Sequence, residues 1–153
     1  MVQLATEQPT GEKMKITAEQ VTQMTNDLFD SMLGMQISGG EVSEAPPPQD
    51  WIQSKVQIQG SWNGELRVVA SGELSAAIAR AMFGSEAENL VEQEILDALG
   101  EVANVIGGNV KGHVDQDCDL TLPEIGEPER VSGNCLCQHF TCAESPFYVV
   151  LVQ

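Results

Sequence analysis

Basic residues are scarce: 7 Lys+Arg stand against 23 Asp+Glu, a formal net charge of −16 over 153 residues. Phosphate backbones are bound by basic stripes, so a nucleic-acid surface is disfavoured. An anionic membrane surface is disfavoured for the same reason. Long apolar runs are also missing. The longest, Phe147 to Val152, falls far short of the ~20 residues of a spanning helix. Met1 to Thr10 lacks the charged-then-apolar pattern of a signal peptide. The expectation is a soluble cytoplasmic protein that binds neither membrane nor nucleic acid.

Phosphate-binding glycine motifs of the Gly-x-Gly-x-x-Gly or Walker type are absent. Gly107 to Gly112 is glycine-rich but falls at the expected C-terminal end of a helix, where the dipole repels anions. A C-terminal cap with close packing is the plainer reading. Cys-x-x-Cys knuckles are absent too. Cys118, Cys135, Cys137 and Cys142, with His113 and His139, could supply zinc ligands in number, but strand cysteines are normally small buried hydrophobes. No metal site is expected. Cys135 and Cys137 share one strand face, where local geometry makes a bridge between them unfavourable. Asp115, Asp117 and Asp119 open like a calcium loop, yet position twelve is Gly126, not a glutamate.

What is present is one domain's worth of core. A chain of this length buries roughly 70% of its unfolded surface. Residues 1–15 are polar and without periodicity, and are expected to be a flexible leader to a domain over 16–153. Thr17-Ala-Glu-Gln20 is a capping box, followed by Val21, Met24, Leu28 and Met32, so a helix is expected over 18–33 with Gly34 as its stop. Ser38 to Asp50, with Gly39-Gly40 and Pro46-Pro47-Pro48, is expected to be a loop. Alternation at Ile52, Ser54, Val56 and Ile58, then Asn63-Gly64 and Leu66 to Ala70, predicts a hairpin of strands 51–59 and 65–71.

Glu73 to Phe83 predicts a short helix, and Leu90 to Val110 a long one. The long helix packs Val91, Ile95, Leu99, Val102, Ile106 and Val110 on one face. Its other face is a polar ridge of Glu94, Asp97, Glu101, Asn104, Gly108 and Lys111. Cys118–Leu122 is expected to be a strand, Glu124–Arg130 a turn-rich acidic stretch, and 134–142 and 147–152 two more strands joined through Ala143 to Pro146. The last strand is apolar on both faces and should lie centrally. The order α-β-β-α-α-β-β-β gives a single α+β domain, its mainly antiparallel sheet packed by the long helix.

Glu101 and Asn104 stand at i, i+3 on the ridge, so their side chains are neighbours. Asparagine is a poor helix-interior residue because its amide competes for backbone hydrogen bonds. From pattern alone the pair is either a site or a solvated face with one tolerated asparagine.

Asp97-Ala-Leu-Gly-Glu101-Val-Ala-Asn104-Val-Ile-Gly107-Gly-Asn-Val-Lys111 resembles the signature helix of the CheX/CheC/FliY response-regulator phosphatases: Glu-x-x-Asn, then glycine, then lysine or a polar residue. Gly60-x-x-x-Gly64, Leu74-x-x-x-Ile78-Ala79-x-x-Met82-Phe83-Gly84 and Leu120-Thr-Leu-Pro123 agree with it in order. With one Glu-x-x-Asn element the chain resembles CheX more than the duplicated CheC. The resemblance implies a CheC-like fold and hydrolysis of the aspartyl phosphate on a CheY-like receiver domain. It implies Asn104 as the residue orienting the attacking water and Glu101 as partner to the receiver's active-site lysine, with Asp97 and Gly108 on the docking ridge. It implies no cofactor of the protein's own, with Mg²⁺ held by the receiver, and it implies a homodimer. A non-catalytic receiver-binding or flagellar-switch-like adaptor, and a structural dimer module, are the other readings open at this point.

Overall fold

A computed structural model describes residues 16–84, 90–114, 117–131 and 133–153. The expected leader lies outside them, as does Asp115 of the calcium-like run. The elements in chain order are α1 (Ala18–Leu28), extended by a π-helical turn Phe29–Leu33, then β1 (Ile37–Val42), β2 (Ile52–Gln59), β3 (Gly64–Ala70), α2 (Gly72–Phe83), α3 (Glu92–Val114), β4 (Asp119–Leu120), β5 (Glu124–Gly126), β6 (Cys135–Cys142) and β7 (Ser145–Val152). The seven strands form one antiparallel sheet in the order β1-β6-β7-β3-β2-β4, with β5 also paired to β2. α1 and α3 cover one face of the sheet, and α2 packs on α3.

The first helix starts as its capping box requires. Thr17 Oγ1 accepts from the Gln20 amide at 3.1 Å, and Gln20 Oε1 accepts from the Thr17 amide at 2.8 Å. Gly34 ends the π turn in the left-handed region at φ 65°. β7 sits between β6 and β3 as its two-faced apolarity demands. Phe147, Val149 and Leu151 enter the core and Val150 is buried on the other face. The turn before it, Ala143-Glu144, is shorter than expected, with both residues at positive φ (49° and 68°) as tight hairpins of the right twist require.

Three expectations are corrected. Ile37–Val42 is a strand, not the start of a loop. It pairs with β6 through its backbone, and Gly39 is required there because a Cβ would sit 2.8 Å from the His139 carbonyl oxygen. Glu124–Gly126 is likewise a strand, paired to β2 although all three residues are exposed. Conversely, β4 spans only Asp119–Leu120 of the expected 118–122.

The sheet face away from the helices is covered by the chain around Glu129. The Glu129 amide donates to Gln53 Oε1, and its carboxylate accepts from Gln53 and Lys55 at 3.0 and 2.7 Å. The Lys55 hydrogen bond holds the Glu129 carboxyl below the ordinary carboxylate range and raises the Lys55 ammonium in return. Arg67 donates to the Glu129 and Arg130 carbonyl oxygens at 3.5 and 3.3 Å.

The four thiols are free; Cys118, Cys137 and Cys142 are buried and Cys135 is exposed. Burial pushes the Cys137 and Cys142 thiols up, away from the reactive thiolate. With excess alkylating reagent, intact-mass measurement should therefore show one fast adduct, at Cys135. The three slower adducts should appear only as denaturant unfolds the chain.

Candidate functional site

α3 carries the candidate residues, and its packing decides which of its faces is left open. Ala98, Leu99, Val102, Ala103, Ile106 and Val110 are fully buried. Val91 departs from its expected place: it is 57% exposed and precedes the helix. Its amide donates to Glu94 Oε1 at 3.1 Å, which satisfies one of the unpaired donors of the helix start.

The glycines correct a further expectation. Gly107, Gly108 and Gly112 do not cap the helix, which runs through them to Val114. A Cβ on Gly107 would lie 2.5 Å from Val56 Cγ2 and 3.3 Å from Leu120 Cδ1, so α3 lies down on β2 and β4 at this point because no side chain intervenes. Gly100, one turn pair earlier, meets Pro123 in the same way, with its would-be Cβ 3.3 Å from Pro123 Cβ. Nothing lies within 4 Å of a Cβ on Gly108. Gly107→Ala should destabilise the protein by about 1–2 kcal/mol, since overpacking against stiff, buried Val56 outweighs the gain in helix propensity. Gly108→Ala should stabilise it by roughly 0.5–1 kcal/mol. Urea unfolding of the two variants checks the pair of signs.

The face left open is the polar ridge. Asp97 and Glu101 are exposed, and Asn104, Gly108 and Lys111 are half-buried. Asp97 accepts a hydrogen bond from Gln93 Nε2 at 2.8 Å. Among the described residues, the side chains of Glu101 and Asn104 have no hydrogen-bond or ion-pair partner. The two lie on one helical face with Cβ atoms about 5–6 Å apart. Gly108, four residues beyond Asn104, keeps the ridge low beside the carboxamide. The structure thus brings all four sequence-predicted residues, Asp97, Glu101, Asn104 and Gly108, onto one exposed helix face.

An acceptor-only carboxylate suits an ammonium partner, and a carboxamide can accept from and donate to one water or oxyanion system. Such a pair on a helix surface has no enclosing walls of its own. A cleft of about 840 Å³ lies instead on the sheet face away from the helices, lined by Val42 to Pro47, Glu129 to Val131, Cys135 and Cys137. Among the described residues no group of three or more His, Cys, Asp or Glu side chains is placed to hold a metal ion. No helix there is long and apolar enough to cross a membrane.

Sequence reasoning missed one feature beside the ridge. Leu122, expected in a regular strand, is 85% exposed in a bulge between β4 and β5. The signal available was Pro123, which cannot donate to a ladder.

The sequence model of the family described as Chemotaxis phosphatase CheX matches residues 52–141. No match is found among curated proteins. Solved structures with the same fold include CheX from Desulfovibrio desulfuricans, 21% identical, covering 88% of this chain and 96% of that one at a TM-score of 0.72. CheX from Vibrio vulnificus is 14% identical, covering 92% and 99% at 0.73. The CheX-CheY-BeF3-Mg²⁺ complex from Borrelia burgdorferi is 15% identical, covering 91% and 98% at 0.71.

Proposed function

The chain belongs to the chemotaxis phosphatase CheX family, and on that premise we propose that it hydrolyses the aspartyl phosphate of a CheY-like receiver domain. The observation that carries this reading is the Glu101/Asn104 pair, neighbouring on the solvent-facing ridge, Glu101 exposed and Asn104 half-buried, with no hydrogen-bond or ion-pair partner among the described residues. The Borrelia relative forms a complex with CheY bearing BeF3 and Mg²⁺, which supports a CheY-like partner here.

In the proposed mechanism the ridge of α3 lies over the receiver's phosphorylation pocket. Asn104 accepts a hydrogen bond from a water through Oδ1 and holds it in line with phosphorus. The water oxygen bonds to phosphorus, the bond from phosphorus to the aspartyl oxygen breaks, and inorganic phosphate and the free carboxylate leave. Glu101 pairs with the receiver's lysine and fixes the angle of approach. Asp97 extends the docking ridge, and Gly108 lets the receiver's backbone come close. The Mg²⁺ of the reaction belongs to the receiver. Positioning and charge stabilisation supply most of the acceleration in phosphoryl transfer, so no nucleophile of the protein's own is needed. Dimerisation and a cytoplasmic setting are part of the same proposal.

The test is phosphate loss from phosphorylated CheY-like receivers. Loss faster than the receiver's own rate supports the reading. Binding without acceleration would make the ridge a docking surface only, as in an adaptor.

A further inference from the structure

Between β4 and β5 the chain holds a leucine in water. β4 pairs Leu120 with Ile58, and β5 pairs Glu124 with Lys55. Three residues, Thr121 to Pro123, therefore lie opposite two, Val56 and Gln57. This is a one-residue bulge, and bulges at a sheet edge re-aim side chains. Leu122 is the residue so turned, and at 85% exposure it is the most exposed large hydrophobic among the described residues.

It is held, not loose. On one side, the Thr121 amide donates to the Gln57 carbonyl at 2.9 Å, and the Gln57 amide donates to Thr121 Oγ1 at 2.8 Å. On the other side, Pro123 packs against Gly100. A leucine fixed this way cannot fold back onto the core, and it meets a partner without the cost of ordering a loop.

Its place along the helix is also fixed. Leu120 abuts Gly107 and Pro123 abuts Gly100, so the segment runs antiparallel to α3, with Leu122 between those two levels. Asn104 lies between the same two glycines, four residues after one and three before the other, on their side of the helix. Leu122 and Asn104 therefore stand level, one on the sheet edge and one on the ridge. Ile125, 38% exposed, continues the apolar surface toward Gly100.

We propose that Leu122, flanked by Ile125, is the apolar anchor that seats the receiver domain beside Asn104. This rests on the receiver-phosphatase reading and names the part of the surface that supplies affinity. The ridge alone presents Asp97, Glu101, Asn104 and Gly108, none of them apolar, whereas protein contacts draw most of their affinity from a few desolvated apolar anchors. The occupant is the receiver's own apolar surface bordering its phosphorylation pocket, because the anchor is continuous with the ridge that would lie over that pocket.

The test compares the wild type, Leu122→Ala and Val42→Ala. Val42 is 61% exposed on the opposite sheet edge and controls for loss of any exposed apolar side chain. Two quantities are read: affinity for a CheY-like receiver loaded with BeF3 and Mg²⁺, and steady-state hydrolysis of the phosphorylated receiver. Leu122→Ala should weaken binding and raise KM about tenfold, with kcat at saturation and the melting temperature unchanged. Val42→Ala should match the wild type. Wild-type affinity in Leu122→Ala overturns the anchor and leaves the phosphatase reading intact. Dissociation of a dimer by Leu122→Ala, with receiver affinity unchanged, also overturns it and assigns the leucine to self-association. Leu122-dependent binding with no hydrolysis upholds the anchor and overturns the phosphatase reading. Failure of the wild type to bind any receiver encoded in the same genome overturns both.

Discussion

Asn104→Ala is expected to slow receiver dephosphorylation by about 10²–10³-fold, the usual loss when one positioning or oxyanion-directed group is removed. The same substitution should raise the stability of the fold by a few tenths of a kcal/mol. Alanine is the better helix former, and Asn104 has no hydrogen bond to lose among the described residues. That opposition of signs separates a functional asparagine from a tolerated one: a packing residue loses stability when truncated, and an idle surface residue loses nothing. Affinity for a BeF3-loaded receiver should change little. Glu101→Ala should behave differently. Its loss removes an ion pair across the interface, so the effect should appear chiefly in KM and shrink at high salt.

The second large effect is on folding. Phe147→Ala should destabilise the protein by about 3–5 kcal/mol, measured as the shift in denaturant midpoint at constant slope. Phe147 is fully buried and lies between two other rings, 5.1 Å from Phe29 and 5.3 Å from Phe140 between centroids, both stacked. Phe29 opens the π turn after α1, while Phe140 is the cross-strand partner of Phe147 in the β6–β7 hairpin. The three rings join the first helical segment to the centre of the sheet, which no backbone hydrogen bond does at that point. Truncation leaves a ring-sized cavity among groups that the hairpin register holds apart, so collapse recovers little of the loss. Phe147→Leu should lose clearly less, because it keeps most of the volume.

The parts of the fold that the sequence revealed are those whose side chains repeat with the backbone's period. α3 shows its buried face at spacings of three and four, and β2 shows alternation, because both bury one side against the core. β1 and β5 were illegible for the opposite reason. Ile37–Val42 contains two glycines and β5 is exposed throughout, so neither shows an alternating buried face and both join the sheet chiefly by backbone pairing. The long helix, expected to end at Val110, runs on to Val114, because the glycine-rich run 107–112 reads as a cap. Gly107 instead serves contact with Val56. The shared face of the candidate residues was legible for the same reason as the helix: once the buried face of α3 is known, Asp97, Glu101, Asn104 and Gly108 must lie away from it. Leu122 was not, because a one-residue bulge shifts the alternation on which a strand reading depends.

The most direct test of the central claim is turnover. One molecule of the protein is mixed with roughly a hundred of a phosphorylated CheY-like receiver, and inorganic phosphate is followed over time, with Asn104→Ala run alongside. The expected result is release of many phosphates per molecule of protein, faster than the receiver's own decay, and near-complete loss of that acceleration in Asn104→Ala. Release at the receiver's own rate by a protein that demonstrably binds it would contradict the account, as would undiminished turnover in Asn104→Ala.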